Sequence, residues 1–506
     1  MIKPQHSPLL CKIAEHAVKT PDKLALVKGD ERVSYAHLWM FVQGAASHIR
    51  WLGLNPGDKI VLLAEKELEF IYLYLAAHLM GVVCVVVDPS STTERLKYIA
   101  QVVKPAVVFD NHEVLKGEND EPVPHIESIN ENIFGCSCIP FSDVNDSDWA
   151  IEEESYPAVK PTDTADVMFT TGTTGAPKGV CLSHANIAGS ACNTNAFIGT
   201  NADDVEALAL PLSHSFGLGR MRCVLMAGAT LVLVNNFANL KSFFNVLEQK
   251  CVTGFGMVPA VWQYIKRLSG TRIAHFAQQL RYIEIGSAAL PIEDKRLLME
   301  LFPDTRLCMH YGLTEASRAL FTEFHTNAAN LETVGRPASE LVEACVLDDN
   351  GQPMADGEDG EICVRGNMVI SSYLLPEDNQ DAFFGDWFRT GDWGHRDRQG
   401  DFYLTGRKKE LINVGGEKVS PVAIEQAICS LGIADCACIA VPDPNGVLGE
   451  VPKAFVVGDK DRISLDDIKK DLSRLLPPHE IPVLWEWVDS IPRTASGKIQ
   501  RLKLKQ

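Results

Sequence analysis

An α/β fold is predicted, with a large N-terminal domain of two parallel-sheet lobes plus a small β-rich module, followed by a small mobile α+β C-terminal domain. Three observations carry this. Short β-branched runs alternate with helical stretches over the first 260 residues. After about residue 340 the pattern changes to alternating strands separated by Asp/Asn/Gly turns, and from residue 406 it changes again to a basic, glycine-containing unit. At 506 residues the chain exceeds the usual size of one compact core, so two or more domains are expected.

The elements follow in chain order. KIVLLAE (59–65), VVCVVVD (82–88), AVVFD (106–110), ATLVLV (229–234) and GFGMV (254–258) read as strands, with segments between them long enough for crossover helices. FIYLYLAAHLMGVVCVVV, Phe70 to Val87, has the length of a membrane span. It changes character at Gly81, however, from helix formers to a β-branched run, so it reads as a buried helix, a glycine stop and an interior strand. Residues 111–163, with NDEP, DVNDSD and EEES, read as an acidic connection between the two lobes. CVLDDNGQPMADGEDGEICVRG predicts the β-rich module. The domain boundary is placed between residues 1–408 and 409–506.

Composition narrows the function. Lys+Arg 47 against Asp+Glu 66 gives a net charge of −19, which opposes non-specific attraction to nucleic acid or to an anionic membrane surface. The fourteen cysteines are scattered, and the close pairs Cys136/Cys138 and Cys436/Cys438 have no matching second pair or nearby histidines, so zinc is not expected. The opening MIKPQHSPLLCKIAEHAVK lacks an apolar core and a small-residue cleavage site. A reducing cytoplasm is the expected setting, with no stable membrane insertion.

FTTGTTGAPKG, Phe169 to Gly179, has four threonines, three glycines and a lysine between apolar segments. Backbone amides freed by glycine, hydroxyls and the Lys178 charge together suit an oxyanion. ADVMF (165–169) before it reads as a strand and VCLSHANIAGSA (180–191) after it as a helix start, which places the loop at a strand-to-helix turn. The alternative is a flexible surface turn. A Walker A loop is excluded by spacing: Gly172 is followed five residues later by Pro177, and Lys178 by Gly179.

Other polar islands are weaker alone. HYGLTEAS, His310 to Ser317, reads equally well as a helix N-terminus with Thr314 as cap and Glu315 in the first turn. FRTGDWG puts Asp392 on a turn, where a carboxylate suits a ribose diol but where turns are also common. GRKKELINVGGEKVSP (406–421) and PRTASGK (492–498) each read as a solvated charged face.

In order and spacing, however, the Thr/Gly loop, YGLTE, RTGD, GRKKELINVGGEKVSP and PRTASGK resemble the adenylate-forming superfamily of acyl-CoA synthetases, peptide-synthetase adenylation domains and luciferases. VSYAHL, GVVCVVVDP, LPLSHSFGLG, GSAAL, GEICVRG and LPPHEIP extend the resemblance over nearly the whole chain. It implies that Thr170, Thr171, Gly172, Thr173, Thr174, Gly175 and Lys178 wrap the phosphates of ATP, with Thr171 where many relatives have serine. Gly286, Ser287 and Ala288 line the adenine, Tyr311 and Gly312 the base and its approach, and Asp392 and Arg407 the ribose. Thr314 approaches the α-phosphate and Glu315 holds Mg2+, a cation suited to oxygen ligands.

The implied reaction is attack of a carboxylate on the α-phosphorus of ATP. Neither anion has a proton to lose, so positioning and positive charge are the requirement. Lys498 matches the family lysine that bridges carboxylate and α-phosphate, and His214 joins the catalytic set at the acid. Lys409 holds the hinge position about which the C-terminal domain turns, bringing Gly415 and Gly416 to the pantetheine arm of the thiol substrate. Asn413 stands where several relatives have a second lysine.

The resemblance implies ATP, Mg2+ and coenzyme A as cofactors and a fatty or aromatic acid as substrate, since the run His214 to Leu218 lacks the carboxylate that pairs an α-ammonium. His214, Phe216, Gly217, Met257, Val258, Gly286 and Gly312 would form the acyl pocket. A carrier-protein phosphopantetheine is the alternative acceptor, a non-catalytic nucleotide-binding relative is a third reading, and homodimerisation is left open. The acid's identity is not legible.

Overall fold

A computed structural model describes residues 7–64, 66–110, 133–145, 156–170, 177–460, 464–493 and 499–505. Strands β1 (Leu24–Lys28) and β2 (Glu31–Ser34) open the chain, followed by β3 (Lys59–Leu63), β4 (Val83–Val87), β5 (Val107–Asp110), β6 (Cys138–Pro140), β7 (Thr164–Phe169) and β8 (Gly179–Ser183). The order β6-β5-β3-β4-β7-β8 makes a six-stranded sheet, parallel except for the β7–β8 edge pair.

A second, eight-stranded sheet takes β9 (Val205–Leu208), β10 (Thr230–Leu233), β11 (Gly254–Met257), β12 (Tyr282–Ile285), β13 (Arg306–Tyr311) and β14 (Leu320–Glu323), in the order β14-β13-β12-β11-β9-β10-β1-β2. Only its two edge pairs are antiparallel. The strands predicted from β-branched runs are all present, each within one or two residues of its expected bounds.

The lobes are nevertheless interleaved. After the acidic stretch the chain returns to the first sheet as β7 and β8, and β1 and β2 pair into the second sheet beside β10. Residues 111–163 therefore do not separate the lobes; the chain crosses to the second sheet after β8, through the helix His184–Ile198. The described part of this stretch adds β6 to the first sheet, and charge and turn composition alone do not tell which sheet receives the next strand.

The helix Leu68–Met80 is buried at every position except Glu69, and Gly81 closes it at φ 68°, a left-handed value that glycine adopts without a Cβ penalty. An all-round apolar helix belongs in an interior, and this one lies in a core that continues from one sheet to the other. Among the described residues no helix is long and apolar enough to cross a membrane.

Three antiparallel pairings among β15 (Val342–Leu347), β16 (Gly360–Gly366), β17 (Phe383–Phe384) and β18 (Trp387–Arg396), with β19 (Phe402–Arg407) added to β18, form the β-rich module. The remaining elements have their own apolar cores. They comprise the hairpin β20 (Ile412–Val414) and β21 (Glu417–Val419), the helix Pro421–Ser430, and the sheet of β22 (Asp435–Pro442), β23 (Glu450–Val457) and β24 (Leu484–Trp487).

Two local expectations change. The segment after the Thr/Gly loop is strand β8, antiparallel to β7, and the following helix starts only at His184, capped by Ser183. β7 and β8 thus pair as a hairpin, with residues 171–176 between them outside the described residues. Likewise no helix follows β13: Thr314 and Glu315 are the central residues of a tight turn between β13 and β14, closed by Leu313 N–H to Ala316 O at 3.1 Å. Thr314 caps nothing. In both places short polar residues fit a hairpin turn as well as a helix start.

Candidate functional site

The C-terminal ends of parallel strands in the eight-stranded sheet carry many of the predicted residues, as expected for ligand sites in open α/β sheets. β9 leads to His214 and Phe216, β11 to Met257 and Val258, β12 to Gly286, Ser287 and Ala288, and β13 to Tyr311, Gly312, Thr314 and Glu315.

Tyr311 donates its hydroxyl hydrogen to Asp392 Oδ2 at 2.5 Å, and Arg407 Nε lies 2.7 Å from Asp392 Oδ1. Asp392 sits within β18 rather than on a free turn, directly opposite Arg407 of β19 in the strand register. Thr390 fixes the strand locally: its hydroxyl donates to Ile362 O at 2.6 Å and accepts the Asp392 N–H at 3.0 Å. Burial and the facing carboxylate raise the Tyr311 phenol well above its ordinary pKa, so it stays a donor.

Glu315 accepts the Tyr373 hydroxyl hydrogen at 2.8 Å through Oε1. A carboxylate at a turn, held by one oxygen, suits a hard divalent cation at the other, so the residue fits the expected Mg2+. Lys178 Nζ stands 4.8 Å from the centre of the same Tyr373 ring and 3.4 Å from Asp378 Oδ1. Thr170 and Lys178 are tied by Thr170 N–H to Lys178 O at 3.0 Å and Lys178 N–H to Thr170 Oγ1 at 3.2 Å. The structure thus brings Lys178, Tyr373 and Glu315 together. Thr171, Gly172, Thr173, Thr174 and Gly175 lie outside the described residues, as does Lys498.

The acyl-side residues rest on a buried charge network that the sequence reading did not assign. His310 Nδ1 lies 2.7 Å from Glu284 Oε1, Arg318 Nε donates to the same oxygen at 2.8 Å, and Arg220 Nη1 lies 3.2 Å from Oε2. Arg220 also pairs with Glu206, which accepts the Tyr282 hydroxyl hydrogen at 2.6 Å. Although burial raises the Glu284 pKa, the two arginines and His310 outweigh it and hold the carboxyl well below its usual range. The network reaches Phe216, one of the expected acyl-pocket residues: Arg318 Nη2 donates to its carbonyl at 3.0 Å, and the His310 and Phe216 rings meet edge to face at 4.7 Å.

Gly286 exists for this packing. A Cβ there would fall 2.1 Å from His310 Cε1, inside any allowed contact. Ser287 beside it adopts φ 77°, an uncommon left-handed backbone for serine and a place where strain is held at the edge of the site. His214 forms the N-terminal boundary of the helix Ser215–Ala227, with Leu218 N–H bonded to its carbonyl at 3.0 Å.

Lys409, Asn413, Gly415 and Gly416 follow β19 in the chain. All four are exposed, Lys409 between β19 and β20 and the glycines in the turn of the β20–β21 hairpin at φ 61° and 102°. The hairpin touches the N-terminal part through Lys418, whose ammonium stands 4.0 Å from the centre of the Trp393 ring.

Tyr373 left no sequence signal. The charge network did: Glu284 interrupts the apolar strand YIEI, and Arg220 and Arg222 interrupt the apolar helix SFGLGRMRCVLMA. Charges inside otherwise buried elements are kept only when paired.

The chain matches two families. Residues 13–374 match the AMP-binding enzyme family and residues 423–498 the AMP-binding enzyme C-terminal domain. It is 27% identical over 498 residues to 2-succinylbenzoate–CoA ligase of Bacillus licheniformis, covering 97% of this chain and 98% of the relative. Identity to 4-coumarate-CoA ligase 1 of Narcissus pseudonarcissus is 28% over 523 residues, covering 99% and 94%. The o-succinylbenzoate CoA synthetase of Bacillus subtilis, solved in complex with an acyl-adenylate intermediate, superposes with a TM-score of 0.86 at 25% identity, covering 100% of this chain and 99% of that one. The same enzyme has been solved with ATP and a magnesium ion. A family match across more than two thirds of its length, on a fold shared with acid–CoA ligases, makes this chain a member of the AMP-binding enzyme family.

Proposed function

We propose that this enzyme activates a carboxylic acid with ATP to an acyl-adenylate and transfers the acyl group to the thiol of coenzyme A. The observation that carries the reading is the convergence of Tyr311, Asp392 and Arg407 on one side and Lys178, Tyr373 and Glu315 on the other, in a chain whose relatives include CoA ligases. In the first step a carboxylate oxygen bonds to the α-phosphorus while the bond to the β-phosphate bridging oxygen breaks, releasing pyrophosphate. In the second the thiolate sulfur bonds to the acyl carbon and AMP leaves.

Each residue has a physical task. Asp392, its orientation fixed by Tyr311 and Arg407, accepts from the ribose hydroxyls. Glu315 holds Mg2+, which when bound offsets charge on the phosphates. Thr170 and Lys178 brace the ends of the phosphate hairpin, and Lys498 supplies positive charge between the two reacting anions. Lys409 is the hinge and Gly415 and Gly416 the pantetheine passage, on an exposed segment just beyond β19 that suits a domain rotation. Phe216, Met257 and the His310 floor favour an apolar, aromatic or fatty acid.

The test is acid-dependent pyrophosphate release over fatty, aryl and amino acids, with CoA and a carrier protein as competing acceptors. Apolar acids and CoA are expected to support turnover, and Lys498→Ala to lower adenylation about a hundred- to a thousandfold. Turnover with α-amino acids alone, or transfer to the carrier protein alone, refutes the reading.

A further inference from the structure

The C-terminal domain holds a pair of thiols that the adenylation site does not use. Cys429, in the last turn of the helix Pro421–Ser430, is exposed, whereas Cys436 on β22 is buried at 2% of its accessible surface. Their sulfurs are 3.5 Å apart, and the Cys436 thiol also lies 3.3 Å from the Glu425 carbonyl oxygen. The chain turns back through residues 430–435 to set one sulfur against the other.

Sulfurs in van der Waals contact need only small side-chain rotations to reach disulfide bonding distance, about 2.05 Å. Exposure and burial divide the roles: an oxidant reaches Cys429, and Cys436 is the sulfur behind it. The contact with Cys436 also lowers the Cys429 pKa, favouring the thiolate, while that same contact and burial raise Cys436. The other exposed cysteines, Cys192 and Cys251, have no sulfur neighbour among the described residues.

We propose that Cys429 and Cys436 are a redox-active dithiol, converted by a hydroperoxide into an intramolecular disulfide. The Cys429 thiolate attacks the peroxide oxygen; an S–O bond forms, the O–O bond breaks and hydroxide leaves, giving a sulfenic acid. The Cys436 sulfur then attacks the Cys429 sulfur, the S–S bond forms, the S–O bond breaks, and the departing hydroxide takes the Cys436 proton as water. Overall two thiols lose two electrons and two protons, and one hydroperoxide is reduced; hydrogen peroxide yields two waters.

The full-length protein is titrated with hydrogen peroxide, free thiols are alkylated, and cleavage before Asp435 places the two cysteines on separate fragments unless a bond joins them. A joined fragment, assigned by its fragment spectra to Cys436 rather than Cys438 and reversed by dithiothreitol, is expected at peroxide concentrations that leave Cys192 and Cys251 mostly alkylated. Cys429→Ser, at an exposed position, should abolish it and leave Cys436 alkylatable after unfolding. The proposal is overturned if no joined fragment forms by the point where Cys192 and Cys251 are oxidised. It is equally overturned if Cys429 advances to the sulfinic acid with Cys436 still a thiol, or if joining persists in Cys429→Ser.

Discussion

Arg220 and Arg222 stand two residues apart on one helix and serve two different buried networks. Arg220 turns toward the eight-stranded sheet and joins Glu206 and Glu284, which with Arg318 and His310 underlies Phe216 and Gly286. Arg222 turns toward the six-stranded sheet and joins Tyr74 and Asp166, with His78 Nε2 2.9 Å from Asp166 and His184 edge-on to His78 at 5.0 Å. Positions i and i+2 of a helix point to opposite sides, so one helix pins both sheets. The two networks share their chemistry of acid, arginine, tyrosine and histidine, and differ only in what lies above them. Buried ionic groups therefore mark function only where the network also touches a surface that meets a ligand; otherwise they fasten layers together.

The largest effect is expected at the fastening network. Asp166→Asn leaves Arg222 buried without its carboxylate and should destabilise the N-terminal domain by about 3–5 kcal/mol, read as a shift of its urea transition, while the folded fraction keeps its KM for the acid. A raised KM with unchanged stability would erase the distinction.

Glu284→Gln is the converse. It removes the charge that positions His310 and Arg318 and should lower kcat/KM for the acid by about ten- to a hundredfold, the scale of a lost hydrogen bond to a charged group. KM for ATP should hold within about twofold. Equal losses toward acid and ATP would show that Glu284 fastens the fold as Asp166 does.

Acid separates the networks further. Burial, with the nearby His78 and Arg222 charges, lowers the His184 pKa from 6.5 to about 3, and neither ring nitrogen has a hydrogen-bond partner among the described residues. Below pH 6.5 the unfolded chain takes up a proton that the folded chain refuses until about pH 3. Stability present above pH 6.5 is therefore lost as pH falls through that window, at about 1.4 kcal/mol per pH unit from this group. Stability measured against pH should show this limb, and His184→Gln should flatten it; an unchanged slope refutes the assignment.

The smallest change is expected at the nucleotide side. Tyr311→Phe removes one donor from Asp392 while Arg407 remains, so KM for ATP should rise about fivefold, near 1 kcal/mol. The apparent KM for the acid, measured at saturating ATP, is the control.

Much of this was legible in advance, for identifiable reasons. Every predicted strand of the two sheets was found because buried parallel strands are continuous β-branched runs, and Gly81 marked a helix end because few other residues take that backbone. Lobe membership was hidden, since β1 pairs with β10 across some two hundred residues and no local pattern encodes a partner. The hairpin pairing of β7 with β8 and the turn at Thr314 were hidden because glycine and threonine serve turns and helix starts alike. Asp392 and Arg407 were found by motif, yet their pairing follows from the β18–β19 register. Tyr373, 58 residues from Glu315 and far from any motif it serves, carried no mark at all.

The interleaving of the sheets also sets a timetable. The six-stranded sheet has all its strands once Ser183 has been made, but Lys28 of β1 must wait for Leu233, its partner on β10. At the roughly 5–20 residues per second of synthesis, that wait lasts about 10–40 seconds. During it, the apolar residues Ala25, Leu26 and Val27 of β1 have only the β2 hairpin partner and no sheet to join. The first two strands of this enzyme therefore join their sheet only after the whole six-stranded sheet has been made, and a nascent chain arrested between β8 and β10 would present them as a substrate for chaperones or for pairing with another chain.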